Sequence, residues 1–421
     1  MKNKSPTILI IGAGPGGLCL AHALEKNKNI KQFNVKIFDR EFSPTARWQG
    51  YHVTLYSSGV KSLIQCVPTS LIPHIPHAIP DTNNLKEEHI VYALNRSGHK
   101  IVQPPTNRQF PNFIEFSKYP LNFNEFMLGY RDVLRDILLQ DIEVQWGKKC
   151  VGYEEVENGV FALFEDGTRE FGDLLVACDG INSVIRKQKL PHLKIQNNGI
   201  INIIADIAPS QQLISRLQKY TGNSLMNVIM GSYNDCSSQL LRMIPINDER
   251  EIDVRFRMTI IYSYAIHISP NTDDIDRDLY KETTAQIINE VKTRIAKTNP
   301  EKELTKLLLE LWDLVPLDDS VNPYPFKKFN PPRKKLIRHI DPKSIPIWES
   351  TRVTLLGDAI HAMEPSLGLE ILSKSLLKMD KIGWEKCIWL YENEMRQRTS
   401  RHVVLSTKAA RKLHGIYRAS S

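Results

Sequence analysis

Apolar residues along this chain switch between the two-residue spacing of strands and the three-to-four-residue spacing of helices. Thr7–Ile11 is a short β-branched apolar run, which predicts a buried strand. Gly12 to Gly17 predicts a turn, and Leu18, Ala21 and Leu24 then fall on one helical face. Val35–Phe38 predicts a second strand, so the chain opens as a βαβ unit with a parallel sheet. From Val53 to about Phe116 the sequence is rich in proline and histidine, lacks a long helical pattern, and reads as an excursion from that sheet. Asn124–Gln140 predicts a helix with Phe126, Val133, Leu134, Ile137 and Leu138 on one side. Val160–Phe164 and Arg169–Phe171 flank an Asp-Gly turn and predict a hairpin. Leu174–Cys178 predicts a further buried strand.

Ile200–Ile207, Gln239–Ile244 and Ile252–Tyr264 predict a β-rich region, and Asp278–Leu314 returns to helix. Pro316 to Pro346, proline-rich and basic, predicts a long surface connection. Arg352–Leu356 predicts a strand, after which helix dominates, with Trp384, Ile388, Tyr391 and Met395 forming a packing face.

At 421 residues the chain exceeds one small core, and 42% hydrophobic with 24% charged residues excludes disordered and fibrous classes. The six cysteines form no C-x-x-C pair and are expected as buried free thiols. No run approaches the ~20 apolar residues of a membrane span, and no signal peptide is evident. The expectation is a cytoplasmic protein without membrane contact. The net charge of +8 brings no zinc-finger spacing and no basic helix with heptads, so nucleic acid is not an expected partner. A polyanionic cofactor accounts for the basic balance.

Gly12-Ala13-Gly14-Pro15-Gly16-Gly17 contains G-x-G-x-x-G between a predicted strand and a predicted helix, the context that gives the motif meaning. Its glycines serve a tight turn, approach to a pyrophosphate and helix–strand packing. Asp39 closes the second strand about 20 residues on, where a carboxylate accepts from a ribose diol and repels a 2′-phosphate. The fingerprint fits FAD or NAD and does not choose between them.

Two later segments do. One is Leu174-Leu175-Val176-Ala177-Cys178-Asp179-Gly180 followed by Arg186; the other is Gly357-Asp358-Ala359-Ile360-His361 with Pro365 and Gly368. With the fingerprint they resemble, in order and over nearly the whole chain, the group A FAD-dependent monooxygenases. These are the para-hydroxybenzoate-hydroxylase-like enzymes, including tetracycline-inactivating monooxygenases. The resemblance implies an α/β fold: a Rossmann-like FAD/NAD(P)-binding domain, an interleaved β-rich substrate domain and a helical C-terminus. The expected division is residues 1–72, 120–195 and 345–380 for the FAD domain, 73–119 and 196–344 for the substrate domain, and 381–421 for the C-terminal segment.

It also implies roles. Gly12, Gly14, Gly17 and Asp39 match the adenosine-diphosphate site. Arg131, opening R-x-x-L-R, matches an arginine that contacts FAD. Asp179, Gly180 and Arg186 match the D-G motif tied to FAD and NADPH. Gly357 and Asp358 match the ribityl and pyrophosphate site, and Arg47 resembles an arginine near the flavin. Independently, Asp358 follows an apolar strand, at the strand end where open α/β sheets bind ligands; a helix N-cap is the plainer reading of the same residue. The implied chemistry is reduction of FAD by NAD(P)H, addition of O2 at flavin C4a, and hydroxylation of a small aromatic or polyketide-like substrate by the resulting hydroperoxide. That scheme needs no side-chain nucleophile, and no catalytic residue is assigned.

The family's G-x-G-x-N segment is not reproduced after Gly368: Glu370 stands at the second glycine, and the Asn and following D-A pair are absent. A second reading is therefore a catalytically degenerate FAD-binding protein lacking part of the isoalloxazine site. His74-x-x-His77 lacks a third ligand, so no metal is expected. Ser183 has no His/Asp arrangement around it. The cluster Lys327, Lys328, Arg333, Lys334 and Lys335 reads as a solvated loop, or else as an attractor for NADPH.

Overall fold

A computed structural model describes the chain except residues 1–4, 47–51, 80–90, 96–97, 99, 103–111, 119, 121–126, 223, 225, 232–236, 246–255, 267–281, 298–301, 318–331, 345–346, 362–366 and 415–421. Its first layer is a five-stranded sheet in the order Val353–Leu355, Leu174–Ala177, Thr7–Ile11, Asn34–Phe38, Val144–Gln145. Every neighbouring pair in it is parallel. Thr7–Ile11 is buried throughout, as a central strand covered on both faces must be. The chain leaves this strand to Asn34–Phe38 on one side and later returns to Leu174–Ala177 on the other. The switch point of the topology is therefore the end of Thr7–Ile11, where the glycine turn begins.

Helix Pro15–Lys26 starts on a proline at its first turn, where no N–H is needed, and buries Gly17 through Leu24. It packs against helices Ser57–Cys66, Arg131–Leu138 and Leu367–Leu376. The hairpin Gly159–Phe164/Arg169–Gly172 forms on the Asp-Gly turn and is extended by Cys150–Val156 into a three-stranded sheet.

A second, seven-stranded sheet runs Arg333–His339, Gln196–Ile207, Phe256–Ala265, Ser237–Pro245, Met226–Met230, Val91–Asn95, Lys100–Val102. One face carries Ile203, Leu241, Ile260 and Tyr262 into a core shared with Val291 and Trp312 of helices Thr284–Ala296 and Glu303–Asp313. A two-stranded ribbon, His52–Leu55 with Met127–Tyr130, completes the strands. Finally, helix Trp384–Leu413 covers the edge strand Val353–Leu355. Tyr391 donates to Leu355 O at 2.8 Å, and Glu392 accepts from Thr354 Oγ1 at 2.9 Å and Ser350 Oγ at 2.6 Å. An edge so capped offers no template for pairing with another chain. No helix among the described residues is long and apolar enough to cross a membrane.

Four elements differ from expectation. The excursion after Val53 contains the ten-residue helix Ser57–Cys66. The β-rich region contains helix Gln211–Thr221, capped by Ser210. Met127–Tyr130 is strand, not the start of the helix at Arg131, because it pairs with His52–Leu55. Arg333–His339 is an edge strand on Gln196–Ile204, not a surface loop. Lys334 is buried there between Glu282 and Glu290, at 3.0 and 2.7 Å, so it is spent on ion pairs. Lys327 and Lys328 lie outside the described residues.

Candidate functional site

All the parallel strands end on one side, so their following loops meet. The first is the glycine turn. Gly12 has φ +111°, and its N–H donates to Phe38 O at 2.7 Å. A Cβ at Gly17 would stand 2.1 Å from Gly12 O, so the third glycine is what lets the helix seat on its own turn. Gly14 caps helix Pro15–Lys26 with no side-chain hydrogen bond, leaving the helix's first N–H groups for a ligand.

Asp39 braces this turn. Its Oδ2 accepts from Ala13 N at 2.8 Å and its Oδ1 from Glu41 N at 2.9 Å. A carboxylate has about four lone-pair sites, so two remain for ribose hydroxyls. From the other side, Arg135 donates from Nε to Ala13 O at 2.9 Å and from Nη1 to Pro44 O at 2.8 Å. Burial pulls the Arg135 pKa down from the usual guanidinium value, and the nearby Asp39 charge offsets this. Arg135 was not among the residues assigned to the site, although it closes the R-x-x-L-R pattern that picked out Arg131.

The next loops follow Leu174–Ala177 and Val353–Leu355. Buried Arg186 donates from Nη1 to Ile181 O at 2.7 Å and to Ala359 O at 3.0 Å, holding the two loops together. Ser183 is the N-cap of helix Val184–Lys189, accepting from Arg186 N at 3.0 Å, which gives its hydroxyl a structural duty. Gly180 (φ +82°) and Gly357 (φ +62°) both lie in the left-handed region, and a Cβ on either would meet nothing within 4 Å. Each loop thus turns bare backbone toward open space.

Asp179 accepts from Val184 N at 3.2 Å through Oδ2, while Oδ1 is buried without an acceptor role. Burial raises its carboxyl above the usual range, against the pull of Ser183, Val184 N–H and Arg186. Asp358 does not cap a helix; it is the central residue of the turn Gly357–Ala359. Its side chain is exposed, yet the protein around it pushes its carboxyl upward, with Arg131 pulling it back down. A group that solvent reaches while protein crowds it lies in a cleft, and Arg131 is the link across that cleft. The Arg131 Nη2 sits 3.7 Å from where a Gly14 Cβ would be, so one cation serves both the turn and Asp358.

Gly12, Gly14, Gly17, Asp39, Arg131, Asp179, Gly180, Gly357 and Asp358 are therefore brought to one crevice, with Arg186 fastening its far wall. Arg47 lies outside the described residues, as does the segment 362–366; Gly368 is in helix Leu367–Leu376. The open backbone at Gly180 and Gly357, the free helix start at Gly14 and the unused Asp179 Oδ1 suit a dinucleotide rich in phosphate and hydroxyl groups. His74 and His77 stand side by side, ring centroids 5.9 Å apart, and no group of three metal-capable side chains occurs among the described residues.

Residues 10–85 match the family model described as an NAD(P)-binding Rossmann-like domain. The chain is 26% identical over 366 residues to the FAD-dependent monooxygenase thnD of Trichoderma harzianum, covering 86% of this chain and 78% of that protein. The chain is thus similar, over most of its length, to FAD-dependent monooxygenases. FAD is accordingly the cofactor of this flavoprotein. Another relative is the dual O-methyltransferase/FAD-dependent monooxygenase CTB3 of Cercospora beticola, 24% identical across 98% of this chain; the chain spans only 46% of that protein. In fold it is similar to a putative FAD-containing monooxygenase from Photorhabdus luminescens subsp. laumondii TTO1. That likeness has a TM-score of 0.71 and 24% identity, with 98% of this chain and 100% of that one covered.

In this flavoprotein the Arg135 clamp has a measurable consequence. Arg135→Met removes two charge-assisted hydrogen bonds that shape the turn, each worth about 1.5–3 kcal/mol. FAD affinity, read by titration of the apoprotein, is expected to fall at least about tenfold, and the melting temperature to fall by several degrees, because Ala13 O and Pro44 O lose their donor even though Met refills the volume. Unchanged affinity would show that the turn holds its shape without the clamp.

Proposed function

We propose that this flavoprotein uses NAD(P)H and O2 to hydroxylate a small aromatic or polyketide-like molecule. The observation that carries the reading is the convergence of the glycine turn, Arg131 and Asp358 on one crevice. In it, Gly12, Gly14 and Gly17 shape the turn that receives the pyrophosphate, and Asp39 accepts from the adenosine ribose. Arg131 neutralises phosphate charge between Gly14 and Asp358. Gly357 and Asp358 take the ribityl end, and Asp179 and Gly180 form the opposite lip. Arg47 is the candidate for contact with the reductant.

Bound FAD would accept a hydride from NAD(P)H and activate O2 so that one oxygen atom enters the substrate and the other leaves as water. The chain's part is orientation and electrostatics rather than nucleophilic attack. Burial raises the carboxyls of Asp179 and Asp358 above the usual range, and Arg131 pulls Asp358 back down. His361, one turn beyond, is buried and held neutral, with its pKa pushed down to about 3, which suits packing and not proton transfer.

The purified protein is expected to be yellow, or to become so with FAD, and to consume NAD(P)H and O2 in step with hydroxylated product across a panel of phenols and polyketides. Protein that cannot be reconstituted with FAD overturns the reading. Tight FAD binding with no NAD(P)H oxidation under any substrate would instead establish the degenerate alternative.

A further inference from the structure

Helix Trp384–Leu413, 30 residues and about 45 Å long, joins the two large sheets. Near its start it caps Val353–Leu355 of the parallel sheet through Tyr391 and Glu392. It also packs on Gln196–Ile207 of the seven-stranded sheet. Just past its end, His414 inserts against Ser238 and Ser263, which lie opposite each other on neighbouring strands of that sheet. All three side chains are buried.

The hydrogen bonds fix the form of the imidazole. His414 Nδ1 lies 2.8 Å from Ala410 O, which can only accept, so Nδ1 carries the hydrogen. Nε2 is left as an acceptor and takes the Ser263 hydroxyl at 2.8 Å. Ser238 Oγ, 2.8 Å from Ser263 Oγ, donates to it in turn. A second proton on the ring could still be bonded, because Ser263 could turn its own hydrogen to Ser238 O at 3.2 Å. Its charge could not be matched. The two serine strands bring hydroxyls, and Asp206, the carboxylate on the adjoining strand, stands four residues beyond the Ser263 pairing partner and holds Arg257. The helix itself brings the cations Lys408 and Arg411, and the edge strand Arg333–His339 brings Lys335, Arg338 and His339. The turn Pro342–Ser344 brings Lys343, with Asp341 before it, whose field reaches His339. No carboxylate among the described residues supports His414, and burial holds its pKa below the usual value.

A second histidine lies at the same seam. His339 bonds Gln196 Oε1 through Nε2 at 3.1 Å, and its Nδ1 is buried without a partner. Burial lowers its pKa, Arg411 of the helix lowers it further, and Asp341 opposes them.

We propose that the end of the C-terminal helix is an acid-released latch between the two sheets, closed by neutral His414 on the Ser238–Ser263 pair and opened when His414 and His339 take up protons. This goes beyond the monooxygenase reading and does not rest on it. Both histidines bind protons more weakly in the closed state than in the open one. Above about pH 6.5 neither state is protonated and the latch keeps its full strength. Below that pH each histidine favours opening by up to about tenfold per pH unit.

Hydrogen–deuterium exchange of the purified full chain at about pH 7.5 and about pH 5.5, corrected for intrinsic exchange rates, reads the opening of residues 404–413. The wild-type opening constant is expected to rise about 100-fold between the two, about tenfold from each histidine. His414→Gln keeps a donor for Ala410 O and an acceptor for Ser263 without a titrating proton. It is expected to rise only about tenfold, His339→Gln likewise, and the double variant to stay flat. Should His414→Gln fail to fold, the wild-type profile and His339→Gln still decide. A wild-type helix end equally closed at both pH values overturns the proposal, as does a single variant that keeps the full rise. Strand Thr7–Ile11 is the internal control and is expected to stay protected throughout. Exchange that appears there together with residues 404–413 would mean global unfolding, and no latch.

Discussion

Gly17→Ala is expected to abolish FAD retention and to cost about 2–4 kcal/mol of stability. The new methyl carbon would be placed 2.1 Å from Gly12 O and 3.1 Å from a methyl of Ile10. The first contact is with backbone, so no side-chain rotation relieves it. Either helix Pro15–Lys26 lifts off the sheet or the Gly12 peptide turns. Lifting the helix uncovers Leu18, Leu20 and Leu24, which are fully or almost fully buried. Turning the peptide breaks the Gly12 N–H bond to Phe38 O and tilts Ala13 away from both Asp39 and Arg135. Both responses displace the helix N-terminus on which a pyrophosphate would rest. Gly16→Ala is the control: its Cβ would meet only a Leu356 methyl at 3.9 Å, an ordinary contact. Flavin absorbance after gel filtration, with thermal melts of both variants, checks the expectation. A Gly17→Ala protein that keeps its flavin and its melting temperature would refute it.

The opening βαβ unit was legible because every signal in it is local: an apolar β-branched strand, a glycine turn, a helix with one apolar face. The carboxylate at 358 was legible for a related reason, since a strand end needs only the strand to be recognised. What escaped depends on distant partners. Met127–Tyr130 lies next to the strongly periodic Arg131–Leu138, and periodicity alone extends that helix backward; only pairing with His52–Leu55, some way back in the chain, makes it strand. Lys334 sits in a run of cations that looks solvated until Glu282 and Glu290 are brought against it. Arg135 shows the same limit in the site itself: it is a buried arginine whose acceptors are backbone carbonyls of other loops, and a carbonyl has no signature in a sequence. Arg186 was named from its motif, but its bond to Ala359 O was hidden for the same reason. Arg131 and Arg135 are four residues apart on one helix, yet one reaches the crevice and the other braces its wall.

Acidification is expected to unfold this protein early, with His361 at the centre. His361 is 2% exposed, and its pKa is pushed down to about 3 by burial, with the charges of Arg398 and His402 adding to the effect. Unfolded, the same imidazole titrates near about 6.5. Above that pH both states are neutral and the native packing is fully expressed. As pH falls below about 6.5 the unfolded chain takes a proton that the native state refuses, and stability drops by about 1.4 kcal/mol per pH unit for this one group. His22, His339, His402 and His414 are lowered by burial too and act with the same sign. Asp179, Asp206, Asp358 and Glu392 oppose them: their raised carboxyls take up protons first in the native state, so each adds stability as pH falls through its folded value. The wild-type curve is the sum, and the His361 share is isolated by difference. In His361→Asn the slope of unfolding free energy against pH, measured in urea between about pH 6 and 4.5, is expected to fall by close to one proton, about 2 kcal/mol over that range. Superimposable slopes would mean that His361 already carries its proton in the folded protein. The loss should also be felt at the site. The His361 N–H closes the turn onto Gly357 O at 2.9 Å, and its ring faces the Arg398 and His402 charges. A proton forced onto that ring drives the turn and the C-terminal helix apart, and with the turn goes Asp358, so flavin should be released before the rest of the chain unfolds.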